Sequence, residues 1–245
     1  MSQMQDFDSM TEMPLADQAS VQTRADFIRK TYLHLIGAIL AFIGIEAAIF
    51  ANADTEAITQ SMMGGGMNWL FVLGAFMLVS WVANSWAHSG ASPGLQYAGL
   101  TLYVVAEAVI FVPLLCMADR YGVQTGHDEI IPTAGLISLI IFGGLTAIVF
   151  ATAKDFSFMR GALMLGGIGA MGMIVGSIVF SFSLGLVFVV FMIVLASGYI
   201  LYTASNVLHH YRIGQHVAAS LALFAAIALL FWYVLRLLMM LSSRD

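Results

Sequence analysis

Three ionisable side chains stand inside long apolar runs of this 245-residue chain, and they mark where chemistry could occur: Glu46, Glu107 and Arg236. An ionisable group at bilayer depth is costly and normally faces the bundle interior or water, so each is a functional candidate. Glu107 is the deepest. Pro113, six residues on, cannot donate to the carbonyl of Val109, which leaves a backbone oxygen close to Glu107. Desolvation favours the uncharged acid there. Two roles follow, a relay for protons or cations and a neutral hydrogen-bonded acid that pins two helices. Glu46 lies six residues before the end of the first apolar run and Arg236 about as far from the end of the last. At about 1.5 Å per residue the two are matched in depth, so an interhelical ion pair is one reading. In the other, Arg236 snorkels to the interface and Glu46 is protonated or faces the headgroups.

Other arrangements resemble catalytic motifs and are better explained structurally. Gly167-Ile168-Gly169-Ala170-Met171-Gly172 has the GxGxxG pattern, but no strand precedes it and no acid follows at the required distance. Ala162, Gly166, Gly169, Ala170, Gly172 and Gly176 recur at helical spacing, which suits close helix packing. Gly90-Ala91-Ser92-Pro93-Gly94 has the GxSxG pattern beside His88, yet it falls in a short interhelical connection and reads as a turn. His209, His210 and His216 cluster in one connection without the spacing of a metal motif, so they read as interfacial histidines. The only lysines, Lys30 and Lys154, lie at the rim and cannot hold a retinal Schiff base. Cys116 is alone in an apolar run and forms no intrachain disulfide. These residues imply no enzyme, cofactor or metal centre.

The elements that position these residues must be membrane spans. The chain is 60% hydrophobic and 9% charged, far from a soluble domain. Its net charge of −5 and lack of a basic stretch exclude nucleic acid as a partner. A span needs about 20 apolar residues to cross roughly 30 Å of hydrocarbon. Runs of that length cover 31–52, 67–88, 95–117, 132–152, 161–181, 184–205 and 217–241, the fifth and sixth separated only by a tight hairpin at Ser181-Phe182-Ser183. Continuous apolarity makes them helices rather than barrel strands. The fold class is therefore all-α, a polytopic seven-helix bundle in the lipid bilayer.

Arg24, Arg29, Lys30, Lys154, Arg160 and Arg212 fall on one side of such a bundle, and Arg120, Arg236 and Arg244 on the other. The positive-inside rule then puts the N-terminus in the cytoplasm and the C-terminus outside. Residues 1–26 open with Asp6, Asp8, Glu12 and Asp17 and are expected to be a disordered acidic cytoplasmic tail. Residues 27–245 form the membrane domain.

Several stretches resemble one family. FIRKTY (27–32), YVVAEAVIFVPLL (103–115), FGGLTAIVFATAKDFSFM (142–159), GYILYTASNVLHH (198–210) and VLRLL (234–238) are similar to the Bax inhibitor-1 (transmembrane BAX inhibitor motif) proteins. The bacterial YccA-type branch is the most similar. The resemblance implies seven helices with the N-terminus inside and residence in a bacterial inner membrane. It also implies a pH-sensitive calcium leak that rests on two aspartates of the sixth and seventh helices. Those positions are Thr203 and Ala226 here, and no Asp or Glu occurs between Phe156 and Ser243. Neither residue titrates or supplies the charged oxygens that Ca²⁺ prefers. Glu107, and with it Glu46, are the carboxylates that could take over. Asp155 matches a family position and should cap locally or pair with Lys154 or Arg160.

Two functions are expected. The first is a regulatory, stress-related membrane protein acting through other membrane proteins, for example a protease. The alternative is a pH-dependent calcium or proton leak in which Glu107 replaces the aspartate pair.

Overall fold

The computed structural model describes residues 14–89, 92–126 and 129–242. Its helices are α1 (Val21–Asn52), α2 (Thr55–Met63), α3 (Gly66–Ala87), α4 (Pro93–Thr125), α5 (Ile130–Thr152), α6 (Arg160–Val179), α7 (Leu186–His209) and α8 (His216–Ser242). A 3-10 turn, Ser157–Met159, leads into α6. Among the described residues, seven of these helices are long and apolar enough to span a membrane, and α2 is the exception. The fold is the expected all-α polytopic bundle.

Helices α1 and α4 outrun the apolar segments that announced them by about ten residues each. Hydropathy marks the part that faces hydrocarbon, whereas a helix ends where its backbone donors and acceptors find caps. Ser20 caps α1, its hydroxyl accepting from the Thr23 N–H at 3.3 Å, so α1 starts well before residue 31. Ser92 caps α4 by accepting from Leu95 N–H at 3.2 Å, with Pro93 in the first turn, and Gly126 closes α4 in the left-handed region at φ 74°. The GxSxG serine is thus a helix cap, while Gly90 and Ala91 lie outside the described residues. The sixth connection, 180–185, is a tight turn in which Ser181 takes φ 55°.

The expected disordered tail needs correction from Pro14 onward. Ala16 N–H donates to the Tyr211 carbonyl at 2.9 Å and Ile213 N–H to the Pro14 carbonyl at 3.1 Å. Leu15 and Arg212 form an antiparallel bridge, and Ala16 is fully buried. Composition reports charge, but it does not report that a neighbouring connection offers backbone partners. The boundary at 26/27 falls inside α1, and residues 1–13, with Asp6, Asp8 and Glu12, lie outside the described residues.

The core is built on α4 and α8, against which α1, α3 and α5 pack. Ring contacts fix their directions. His34 meets His216 and Phe42 meets Phe224, while Tyr103 meets Phe224 and Phe111 meets Phe231 and Trp232. Residue numbers rise together in both sets, so α1, α4 and α8 run parallel. Helix α3 descends between them, with Phe76 against Tyr103 and Trp69 stacked on Trp232. At Gly99, α4 approaches α3 so closely that a Cβ would stand 2.5 Å from the Ala83 carbonyl oxygen. The glycine-rich stripe of α6 behaves differently from expectation. Gly166 does sit against Leu195, but nothing lies within 4 Å of a Cβ at Gly167, Gly169 or Gly172.

Candidate functional sites: buried carboxyls and a polar cleft

Helix α1 buries Phe27, Thr31, Leu35, Ala38 and Glu46, a stripe at three- and four-residue spacing that Phe42 continues. Glu46 is therefore turned into the bundle and is 7% exposed. Among the described residues, neither of its carboxyl oxygens has a hydrogen-bond partner. Glu107 is 6% exposed on the inner face of α4, and the Tyr103 hydroxyl one turn earlier donates to it. Phe111, one turn beyond Glu107, packs edge-on against Phe42 at 5.2 Å, and Phe42 lies one turn before Glu46. An aromatic pair thus stands between the two acids along the bundle. Helix α4 stays continuous through Pro113.

The ion pair between Glu46 and Arg236 does not form: among the described residues the ion pairs are Arg120–Glu56 and His210–Asp155. The contacts of α1 with α8 give the reason. Extending the register set by His34–His216 and Phe42–Phe224 puts Glu46 level with Ala228, so Arg236 lies eight residues beyond, about 12 Å along the helix. Depth counted from apolar ends fails because α8 reaches further than α1. Arg236 is half-buried beside Tyr233.

Thr203 on α7 and Ala226 on α8 are both buried, at 3% and 1% exposure. Tyr103, which the sequence reading passed over, lies four residues before Glu107, the spacing at which helical side chains meet, and that interval was the available signal.

At the end of the bundle where α1 starts, here the N-terminal face, His216 parts from His209 and His210, whose ring centroids lie 6.2 Å apart. His209 Nδ1 is 3.0 Å from the Ser205 carbonyl, while His216 packs against His34 with ring centroids 5.0 Å apart. His34 in turn contacts the Tyr97 hydroxyl at 3.0 Å. No group of three or more His, Cys, Asp or Glu suited to a metal occurs among the described residues. Between α1 and α4 a groove of ≈ 430 Å³ starts at His34 and runs past Gly37, Ala41 and Leu100 to Ile45, which precedes Glu46, and Val104, about one turn before Glu107, without being lined by either acid.

His210 pairs with Asp155, Nε2 to Oδ2 at 3.0 Å. The partner expected for Asp155 was Lys154 or Arg160. The folded connection between α5 and α6 instead lies against the end of α7, where the Ser205 hydroxyl accepts from the Phe156 N–H at 2.9 Å. The capping part of that expectation holds, since Asp155 Oδ1 accepts from Ser157 N–H at 2.8 Å. That backbone bond first, then the Ser157 side chain and His210, hold the Asp155 carboxyl below the usual range. Beside the pair opens a polar cleft of ≈ 460 Å³, lined by His88, Arg160, Tyr202, Asn206, His210 and Gln215 among others.

Comparison with known proteins agrees with this architecture. No curated protein matches the chain. The family model described as inhibitor of apoptosis-promoting Bax1 matches residues 24–243, from the start of α1 to the end of α8. A match of that extent covers every membrane-spanning helix, and the chain belongs to the Bax inhibitor-1 family.

Proposed function

We propose that this protein is a pH-responsive leak pathway for protons across a bacterial inner membrane, with the N-terminus cytoplasmic, and that Glu107 and Glu46 are its carriers. The observation that carries the reading is the pair of buried acids on α4 and α1 flanking the Phe42–Phe111 contact. Each is a single carboxyl, suited to a proton passed from group to group, whereas Ca²⁺ wants several oxygens at once. The groove from His34 supports an entry, and the aromatic contact would close the path at rest. Arg24, Arg29, Lys30, Lys154, Arg160 and Arg212 all belong to the N-terminal face, which supports its cytoplasmic placement.

The test is proton and calcium flux into proteoliposomes holding the purified chain, measured at several pH values from about pH 6 to 8 around the reference range of weakly acidic groups. A pH-dependent proton flux abolished by Glu107→Gln is expected. A folded protein that passes no protons refutes the reading.

A second reading is a regulator of another membrane protein, such as a protease. It rests on the α6 face at Gly169 and Gly172, which the rest of the described chain leaves open. Under that reading Glu107→Gln leaves the phenotype intact and a partner co-purifies.

A further inference from the structure

The polar cleft on the N-terminal face takes no part in the proposed pathway, and its chemistry is that of an anion site. We propose that it binds a phosphate group, either that of an anionic phospholipid headgroup or a free phosphate. Its fixed cation is Arg160, which has no ion-pair partner among the described residues. A guanidinium presents a planar fork of donors that fits two phosphate oxygens at once.

The surrounding side chains are oriented to help. Gln215 Oε1 accepts from Arg212 N–H at 2.9 Å, which commits the oxygen and leaves the amide nitrogen to donate. His210 is held through Nε2 by Asp155. The acid beside the cleft does not leave a bare negative charge, because Asp155 Oδ1 is bound by Ser157 N–H and Oδ2 by His210. Asn206 and the Tyr202 hydroxyl add neutral donors to the wall. The N-terminus of the 20-residue helix α6 begins at Arg160 without a capping side chain, so the positive end of its dipole adds to the field there. Basic clefts between transmembrane helices at a membrane face are where anionic headgroups are held.

The experiment is calorimetric titration of the full chain in neutral detergent with three probes: short-chain phosphatidylglycerol, short-chain phosphatidylcholine and inorganic phosphate. Saturable binding of phosphatidylglycerol, stronger than of phosphatidylcholine, identifies a headgroup site. Saturable binding of inorganic phosphate identifies a free-phosphate site. In either case Arg160→Gln should weaken binding about fivefold or more, the scale of one basic residue facing an anionic lipid. Arg160→Lys should keep part of it, and Arg29→Gln, away from the cleft, should change nothing. Arg160 is exposed, so these variants are expected to fold, and unchanged melting confirms it. No saturable binding of any probe, or binding that Arg160→Gln leaves intact, overturns the proposal.

Discussion

Replacing Glu46 with methionine should make the protein more stable and inactive as a proton pathway. The side chain is 7% exposed, and both carboxyl oxygens lack a hydrogen-bond partner among the described residues. A buried polar group left unsatisfied costs about 1–3 kcal/mol. Methionine has similar length and volume, fills the same space without a polar atom and adapts to irregular packing. Glu46→Met should therefore gain about 1–2 kcal/mol, which in a chain of this size raises Tm by roughly 2–6 °C. Glu46→Gln keeps two polar atoms in the same place and should show no such gain. Thermal unfolding in detergent reads the stability, and proton flux into proteoliposomes reads the function. A fall in Tm for Glu46→Met would show that the carboxyl is partnered in the folded protein. A gain in Tm with unchanged flux would remove Glu46 from the pathway and leave its cost without a purpose.

Two further outcomes follow from the packing and the N-terminal face. Gly99→Ala should lower stability by about 2 kcal/mol or more, measured by thermal unfolding, because its Cβ would meet backbone atoms, Ala83 O at 2.5 Å and Ala87 N at 2.7 Å, and force α3 away from α4. Asp155→Asn should lose a small acid-dependent stability. The folded protein holds this carboxyl below its usual range, so the contribution is complete above the unfolded value of about 3.9 and is lost as pH falls through the lowered one. The advantage of the parent chain, read as a Tm difference, should therefore be present at pH 6 and fade below about pH 4. An unchanged difference across that range would mean that neither Ser157 N–H nor His210 favours the charged form.

The bundle was legible in the sequence because a bilayer allows few backbone solutions. Continuous apolar runs of spanning length have to be helices, and seven runs gave seven spans. Burial of Glu46 and Glu107 was legible for the same reason. Partnership was not. Pairing Glu46 with Arg236 assumed that helix ends align, and Asp155 was expected to find a cation along its own stretch of chain. The structure instead joins Asp155 to His210, 55 positions away. Short periodic relations such as Tyr103 to Glu107 can be read from spacing, but contacts between distant segments depend on register and loop path.

The same distinction bears on Thr203 and Ala226, the positions at which the resemblance led us to expect acids. Thr203 and Ala226 are buried on α7 and α8, so an aspartate at either position would meet the interior of this bundle rather than water. The acids buried among the described residues stand on α1 and α4, the two helices that share the groove beginning at His34. A carboxyl beside such a groove can exchange its proton when water enters, whereas one sealed between α7 and α8 needs those helices to part. Introducing Ala226→Asp in a Glu107→Gln background tests this difference. If access governs function, the introduced acid gives no flux at any pH in the working range. Recovery of pH-dependent flux would show instead that α7 and α8 open, and that the groove between α1 and α4 is not the required entry.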